Sequence, residues 1–219
     1  MKIVIIGGVA GGATAAARLR RLNEEAEIII FERSGYVSYA NCGLPYYIGG
    51  EIQDKEELTL QTPESFWRRF KIDVRTYHEV TKIDTEMKIV SVYNIKTSET
   101  FEESYDKLIL SPGANPVKPN FSAIDSNKVF TLRTVEDTFR IREFIDSNNP
   151  KNAVVIGGGF IGLEMAENLK LRGIDVTIFQ KNHQLLNVVD QDMASFIHSK
   201  FRSEGINLFF GANVTDIKL

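Results

Sequence analysis

One cysteine, Cys42, stands in the stretch SYANCGLPYY, residues 38–47, and it is the only thiol in the 219-residue chain. Its neighbours Ser38, Asn41 and Gly43 are small or polar, whereas an inert core cysteine usually lies in an apolar strand. A thiolate beside a redox cofactor can exchange disulfides or reduce peroxides. If CGLPYYIG begins a short helix, the N-terminus of that helix would favour the thiolate form.

A glycine pattern that occurs twice supplies the second chemical signal. IVIIGGVAGGATAAARL near the N-terminus is echoed by AVVIGGGFIGLEMAENL about 150 residues later. Each copy predicts a buried parallel strand, a glycine turn and a helix, and a second apolar run at 26–32 or 175–180 completes a βαβ unit. Glycine is required because a phosphate must approach backbone N–H groups at the helix N-terminus, and a Cβ would prevent that approach.

The two copies differ at the positions that contact a dinucleotide. The second copy has the complete G-x-G-x-x-G spacing, with Gly157, Gly159 and Gly162. The first keeps Gly7 and Gly12 at the outer positions, with Gly8 and Gly11 beside them, but has Val9 in the middle. At the end of its second strand, Glu32 is placed to accept hydrogen bonds from a ribose hydroxyl.

The corresponding position of the second copy is Gln180, followed by Lys181. A carboxylate there would favour NADH by binding both ribose hydroxyls and repelling a 2′-phosphate. An amide beside a cation tolerates the phosphate. The sequence therefore favours NADPH, or use of both nicotinamide cofactors, over strict use of NADH.

The remaining segments predict the elements that must position these groups. Residues 73–84 and 88–116 alternate apolar and polar residues and predict a small antiparallel meander ending in a buried strand, KLILS. After this strand comes a sharp turn, Ser111, Pro112 and Gly113. It is either a plain turn, or its backbone lies against a ligand. Residues 129–145 predict a helix with Thr134 as N-cap, and 190–205 an amphipathic helix followed by a strand.

Composition and charge exclude several classes of function. The formal net charge is −3, without a basic block to follow a phosphate backbone, and no apolar run approaches the roughly 18 residues of a membrane span. We expect neither nucleic acid nor a membrane as partner. The N-terminus lacks a secretory pattern, and one cysteine cannot form an intramolecular disulfide, so we expect a reducing cytoplasm. The histidines lack metal-ligand spacing, so no metal is expected: His78, His183 and His198.

Three motifs together resemble the flavin-dependent pyridine nucleotide-disulfide oxidoreductases, and within them the coenzyme A-disulfide reductase branch. They are GGVAGGATAAARLRR, the cysteine segment SYANCGLPYYIGG, and the series TYHEV, YDKLILSPGANP, TLRTVEDT and IGGGFIGLEMAENL. The resemblance covers essentially the whole chain.

The resemblance implies an α/β fold with two Rossmann-like dinucleotide-binding domains, the first carrying an inserted antiparallel β-meander. Residues 1–117 would form the FAD-binding domain, and residues 118–219 an NAD(P)-binding domain that is incomplete at its C-terminal end. Members of the family are roughly twice as long, so we expect that this chain lacks the C-terminal dimerisation domain and that the full-length protein is a homodimer.

The chemistry implied by the resemblance is a hydride transfer from NAD(P)H to the flavin, followed by reduction of a mixed disulfide between Cys42 and coenzyme A. Substrate binding is then assigned to Thr14, Arg18, Arg21, Ser38 and Asn41. From the residues alone, Arg18 and Arg21 fit a solvated helix face equally well. Binding of the two cofactors is assigned to Gly7, Gly8, Val9, Ala10, Gly11, Gly12, Glu32, Arg33, Val80, Ser111, Pro112 and Gly113, and to Gly157, Gly159, Phe160, Ile161, Gly162, Glu164, Gln180 and Lys181.

Three other functions remain open at this stage. A single-cysteine NADH oxidase or peroxidase would cycle through a sulfenic acid, but such enzymes typically have a histidine where this chain has Ala10. A persulfide or polysulfide reductase is a close variant, whose relatives can carry an extra sulfur-transfer domain. The chain is alternatively a nucleotide-binding fragment without turnover. The dithiol branch is excluded because it requires a second cysteine.

Overall fold

A computed structural model describes residues 1–218, which divide into two compact units. The first comprises Met1–Ala40 and Glu56–Asn115, and the second comprises Asn41–Lys55 and the chain from Pro116 onward. The packing divides between Asn115 and Pro116, and the segment Asn41–Lys55, which carries Cys42, packs with the second unit. The predicted boundary between residues 117 and 118 stays a prediction. The assignment of one part to FAD and the other to NAD(P) stays a prediction.

Helices and strands alternate along most of the chain. In chain order they are β1 (Lys2–Ile6), α1 (Ala10–Leu22), β2 (Glu27–Glu32), a 3-10 helix (Asn41–Gly43), α2 (Leu44–Gly49), a second 3-10 helix (Lys55–Leu58), α3 (Pro63–Phe70), β3 (Asp73–Thr76), β4 (His78–Asp84), β5 (Ile89–Asn94), β6 (Thr100–Ser104), β7 (Lys107–Leu110), α4 (Val135–Asn148), β8 (Asn152–Ile156), α5 (Phe160–Leu171), β9 (Asp175–Gln180), α6 (Gln191–Ser203) and β10 (Asn207–Phe210).

A parallel four-stranded sheet of order β3-β2-β1-β7 forms the centre of the first unit. Alternate residues of its inner strands enter two different cores. Ile5 and Ile30 pack with residues of α1 and α3, whereas Val4, Ile29 and Phe31 pack against the meander. Because both faces are covered, these strands are continuous Val/Ile runs rather than alternating patterns.

The meander consists of β4, β5 and β6, which pair antiparallel in sequence order. Two segments differ from the prediction: residues 73–76 were predicted to belong to the meander, and KLILS was predicted to be a buried strand. Residues 73–76 form β3, which pairs parallel with β2 in the central sheet. The KLILS strand, predicted to be buried, is β7 at the edge of that sheet, and Leu110 is 61% exposed because only one side has a strand neighbour.

The second unit contains a parallel sheet of order β10-β9-β8. The AVVIGG strand was predicted to be buried, but β8 is an edge strand, and Val154 is 60% and Ile156 47% exposed. In the core of the second unit, Ile178 and Phe201 pack with residues of α5. Together the two sheets confirm the predicted α/β fold with two Rossmann-type units.

Helix α4 confirms the predicted N-cap but not the predicted start. Thr134 accepts a hydrogen bond from Asp137 N–H at 3.2 Å, and the Asp137 side chain in turn accepts from Thr134 N–H at 3.1 Å, which is a capping box. This cap fixes the start at Val135, so the helix does not begin at residue 129. Within residues 1–218, no helix is both long and apolar enough to cross a membrane.

An ion-pair network joins the meander to the central sheet. Glu103 on β6 pairs with Lys2 on β1 and with Arg75 on β3, the latter at 2.9 Å. Burial by itself would raise the pKa of Glu103, but the hydrogen bonds from Lys2 and Arg75 outweigh it and hold that pKa below its ordinary value of 4.5. The carboxylate form therefore stabilises the folded state.

Replacing Glu103 with Gln should lower the free energy of unfolding by about 1–2 kcal/mol at pH 7, since charged hydrogen bonds at partly exposed sites are lost. A lowered folded-state pKa contributes stability above the unfolded pKa and loses it as the pH falls through the folded pKa. The difference between native and variant should thus shrink below pH 4.5. Urea unfolding at pH 7, 5 and 3 measures it. Glu102→Gln, on the same strand but exposed, is the control; an equal loss there would contradict the prediction.

Candidate functional site

The first glycine turn connects β1 to α1 in a conformation that favours glycine. Gly7 has φ +96° and donates its N–H to Phe31 O at 2.8 Å. A Cβ on Gly12 would lie 1.8 Å from Gly7 O, so the first turn of α1 packs directly on the glycine turn. The spacing of these two glycines is therefore required by the fold itself, before any ligand is considered.

Glu32 stabilises this turn from the end of β2. Its side chain is buried, and its two carboxylate oxygens accept hydrogen bonds from Gly8 N–H and Ser34 N–H, both at 2.8 Å. The sequence pattern predicts a ribose contact for Glu32 and does not reveal this structural role. A carboxylate has further lone pairs, so the two roles are compatible.

The second glycine turn repeats this geometry. Gly157 has φ +107° and donates to Phe179 O at 2.9 Å, and a Cβ on Gly162 would lie 2.1 Å from Gly157 O. Gln180 takes the place of Glu32: its Oε1 accepts from Gly158 N–H at 3.1 Å. Gln180 is buried, and its Nε2 also donates to Gln184 O at 3.1 Å, so both ends of the buried amide are hydrogen-bonded. Lys181 beside it is exposed and forms no ion pair within the described chain.

The space around the two turns differs. A Cβ on Gly157 or Gly159 would meet no atom within 4 Å, so the second turn faces open space. In the first turn, a Cβ on Gly11 would lie 2.4 Å from Ser111 Oγ. Ser111 follows β7 and donates its N–H to Ile6 O at 2.8 Å. The second turn thus leaves bare backbone accessible to a group the size of a phosphate, and the first turn is bordered by residue 111.

Helix α1 presents one exposed face with two free cations. Thr14, Arg18 and Arg21 are all exposed, at helical spacing. Arg20, on another face, donates to Phe70 O at 2.7 Å and to Lys71 O at 3.0 Å. Arg18 and Arg21 form no hydrogen bond or ion pair with any described residue. They are therefore available to an anionic ligand, whereas Arg20 is structural.

Ser38, in the first unit, has an unusual backbone conformation. Its φ is +48°, which is uncommon for a residue other than glycine. Hydrogen bonds on both sides hold it there: Ser38 N–H donates to Gly8 O, and Ser38 O accepts from Leu60 N–H, both at 2.9 Å. The same glycine turn therefore fixes residue 38. Such constrained residues occur preferentially at functional sites.

In the second unit, Cys42 lies in the 3-10 helix Asn41–Gly43, which leads directly into α2. This confirms that the segment begins a short helix. The thiol belongs to an exposed residue, and Asn41 Oδ1 is buried without a hydrogen-bond partner in residues 1–218. Most buried acceptors are paired, so Asn41 Oδ1 is available to a donor group of a ligand beside the exposed thiol.

Glu164 of α5 faces the cysteine helix. It raises the pKa of Tyr46 on α2, with burial, Glu167, Glu51 and Cys42 contributing in the same direction. Negative charges nearby disfavour a phenolate, which is the physical cause of this shift. Tyr46 and Glu164 therefore lie on the packed helices α2 and α5, and Cys42 lies in the 3-10 helix that leads into α2.

The other predicted cofactor residues occupy varied positions. Phe160 and Ile161, at the start of α5, are exposed, as expected for residues that contact a ligand. Arg33 donates to Asn115, and Val80 precedes a bulge in β4. Gly113 has φ +70°. In the part of the chain that the structure describes, His, Cys, Asp and Glu form no group of three or more that could hold a metal ion.

Two strand, glycine-turn and helix units on parallel sheets, with an exposed thiol, define a class of dinucleotide-binding α/β redox proteins. The chain belongs to the pyridine nucleotide-disulphide oxidoreductase family, which matches residues 1–219. The resemblance in the sequence motifs is thereby confirmed at the level of the family.

Individual relatives are similar along nearly the whole chain. A coenzyme A disulfide reductase of Staphylococcus haemolyticus is 44% identical over 217 residues, covering 99% of this chain and 49% of the relative. The solved structure of reduced CoADR-RHD of Bacillus anthracis has a TM-score of 0.96 and 50% identity, over 98% of this chain and 39% of that one. A NAD-dependent persulfide reductase of A. fulgidus has a TM-score of 0.95 and 35% identity, over 100% and 41%. The chain spans about half the length of the curated relatives it matches.

Two substitutions in the second glycine turn should change the free energy of unfolding by different amounts, because Gly162 is closely packed and Gly159 faces open space. Gly162→Ala places a Cβ 2.1 Å from Gly157 O, and should lower the free energy of unfolding by about 1–3 kcal/mol. Gly159→Ala meets nothing within 4 Å at φ −85° and should change it by less than about 0.5 kcal/mol. Thermal and urea unfolding of both variants measure the difference. Equal stability of the two variants would contradict the packing described for Gly162.

Proposed function

We propose that this chain provides the nucleotide-binding and thiol chemistry of an FAD-dependent NAD(P)H reductase that acts on coenzyme A disulfide. The observation that carries the proposal is the exposed thiol of Cys42, in the 3-10 helix that leads directly into α2, and α2 packs against α5 after the second glycine turn. The 44% identity to a coenzyme A disulfide reductase supports this substrate. The full-length protein is proposed to be a cytoplasmic homodimer.

Two separate sets of residues would hold the cofactors. In the first unit, the turn Gly7–Gly12 with Glu32, Arg33, Val80 and residues 111–113 would hold FAD. In the second, Gly157–Gly162 with Glu164, Gln180 and Lys181 would hold NAD(P)H. The open space around Gly157 and Gly159 fits a pyrophosphate. The chemistry that FAD supplies when bound is two-electron transfer between a nicotinamide and a disulfide.

The proposed role of Cys42 is thiol–disulfide exchange. Its thiolate attacks one sulfur of coenzyme A disulfide, a new S–S bond joins Cys42 to coenzyme A, and the second coenzyme A leaves as its thiolate. No electrons are gained or lost in this step. Two electrons from NAD(P)H are then required to release the bound coenzyme A and regenerate the thiolate.

Arg18 and Arg21 support a phosphorylated substrate. Both residues are exposed and have no hydrogen bond or ion pair within residues 1–218, and guanidinium binds phosphate through paired hydrogen bonds. Together with Thr14 on the same face, they are proposed to bind the nucleotide portion of coenzyme A. Ser38 and Asn41 are proposed to contact the substrate near its sulfur.

A persulfide is the second candidate substrate. The NAD-dependent persulfide reductase that this chain resembles at 35% identity favours it. The exchange chemistry at Cys42 would be the same, because a persulfide also presents a sulfur–sulfur bond to the thiolate. The oxidase or peroxidase alternative is disfavoured by Ala10, where those enzymes typically have histidine.

The intact mass of the protein tests the thiol chemistry. After incubation with coenzyme A disulfide, the native protein should gain the mass of one coenzyme A, and a reductant should remove it. Cys42→Ser should gain nothing, because Cys42 is the only residue that can form the adduct.

Other masses in this measurement would favour other substrates or another reaction of Cys42. An unmodified native protein would overturn the coenzyme A disulfide assignment. Purification without reductant should yield the coenzyme A adduct or the free thiol. An added single oxygen would instead favour the sulfenic acid route of an oxidase or peroxidase, and one added sulfur would favour the persulfide substrate.

Lys181 tests the proposed use of NADPH. Lys181→Glu should weaken NADPH binding about tenfold, which corresponds to about 1.4 kcal/mol, because a cation near the 2′-phosphate is replaced by an anion. NADH binding should change by less than about threefold, since NADH has no phosphate there. Titration calorimetry with both nucleotides measures this. Lys151→Glu, an exposed lysine before β8, is the control; equal effects at both positions would contradict a specific role of Lys181.

A further inference from the structure

The C-terminal carbonyl groups of α2 are bonded almost completely. Tyr46 O accepts hydrogen bonds from Gly50, Glu51 and Ile52 N–H at 3.0–3.2 Å. Side chains of other helices reach the next two carbonyls. A helix of six residues is too short to be stable alone, since isolated helices below about 12 residues are marginal. Its position must therefore come from contacts outside the helix, which are the burial of Ile48 in the core of the second unit and these hydrogen bonds to its carbonyl end.

Arg142 of α4 makes the first of these contacts. Its Nη1 donates to Tyr47 O at 2.8 Å and to Ile52 O at 3.2 Å. The guanidinium also lies over the Tyr47 ring, 4.2 Å from its centroid. A single side chain thus fixes both the end of α2 and the residues that follow it.

Arg172, at the end of α5, makes the second contact. Its Nη1 donates to Ile48 O at 3.2 Å. Asp146 of α4 connects the two arginines, since it pairs with Arg172 and lies 3.7 Å from Arg142 Nε. Two cations therefore face the C-terminal carbonyls of α2, where the helix dipole favours positive charge.

Gly49 of α2 packs closely against Asn168 of α5. A Cβ on Gly49 would lie 2.0 Å from Asn168 Oδ1, so only glycine fits at residue 49. Asn168 is fully buried, and its Nδ2 donates to Glu164 O at 2.8 Å, which fixes the orientation of its amide. The helix that follows Cys42 is thus packed against the helix that carries Glu164.

We propose that Arg142 and Arg172, joined by Asp146, are positioning residues for Cys42. They act on the far end of α2 and hold the thiol at a fixed place relative to α5 for exchange with its substrate. This inference rests on the proposed function of Cys42.

Hydrogen exchange tests the anchoring directly. In Arg142→Met and Arg172→Met, amides of residues 44–52 should exchange at least about tenfold faster, because charged hydrogen bonds to the helix end are lost. Arg142→Lys keeps the charge and should recover part of the protection. Arg140→Met is the matched control: Arg140 lies on the same helix but pairs only with Asp137. Equal exchange in Arg142→Met and the control would overturn the proposal.

Two thiol reactions separate positioning from general loosening. Exchange of Cys42 with coenzyme A disulfide should slow about tenfold in the two methionine variants, because an oriented reaction depends on placement. Alkylation by iodoacetamide should change less than about twofold, since it needs only an exposed thiolate. Parallel changes in both reactions would indicate a structural role alone and overturn the proposal.

Failure of the proposed function would be recognised separately. If the native protein reacts with coenzyme A disulfide no faster than with cystamine, the assignment of the substrate fails. The exchange rates of residues 44–52 would still show whether the arginines anchor α2. If a methionine variant does not fold, Arg142→Lys and Arg172→Lys, which keep the charge, should show smaller changes in the same direction, and no difference from the native protein would overturn the proposal.

Discussion

Both units depend on one interaction: a buried polar side chain at the end of the second strand accepts a hydrogen bond from the backbone of the glycine turn. Glu32 does this for Gly8 N–H, and Gln180 for Gly158 N–H. The N–H groups of such a turn point away from the sheet ladder, and a buried donor without a partner costs about 1–3 kcal/mol. The side chain supplies that partner, so the turn keeps its shape without a ligand.

From this arrangement the rest of the site follows. The fixed turn brings Gly12 and Gly162 against the carbonyl groups of Gly7 and Gly157, and so determines where each helix begins. In the first unit the same turn accepts a hydrogen bond from Ser38. Both an acid and an amide can be the bonded acceptor. The chemical difference between Glu32 and Gln180 is therefore free to reflect the ligand of each unit.

The cysteine depends on a different kind of support. Its helix is too short to be stable by itself, and its carbonyl end is bonded by arginines from two longer helices. Burial of Asn168 against Gly49 adds a steric requirement at the same end. Under the proposed function the thiol must be exposed to its substrate, so its placement has to come from residues that do not touch it.

The sequence by itself determined the two βαβ units, the glycine turns, the N-cap at Thr134 and the solitary thiol, because each depends on local periodicity or backbone conformation. Only the tertiary structure decided that β7 and β8 are edge strands, since a Val/Ile run does not reveal how many neighbours it has. It also placed Asn41–Lys55 with the second unit and separated the free Arg18 and Arg21 from the bonded Arg20. Those outcomes depend on contacts between residues far apart in the chain, which no local pattern encodes.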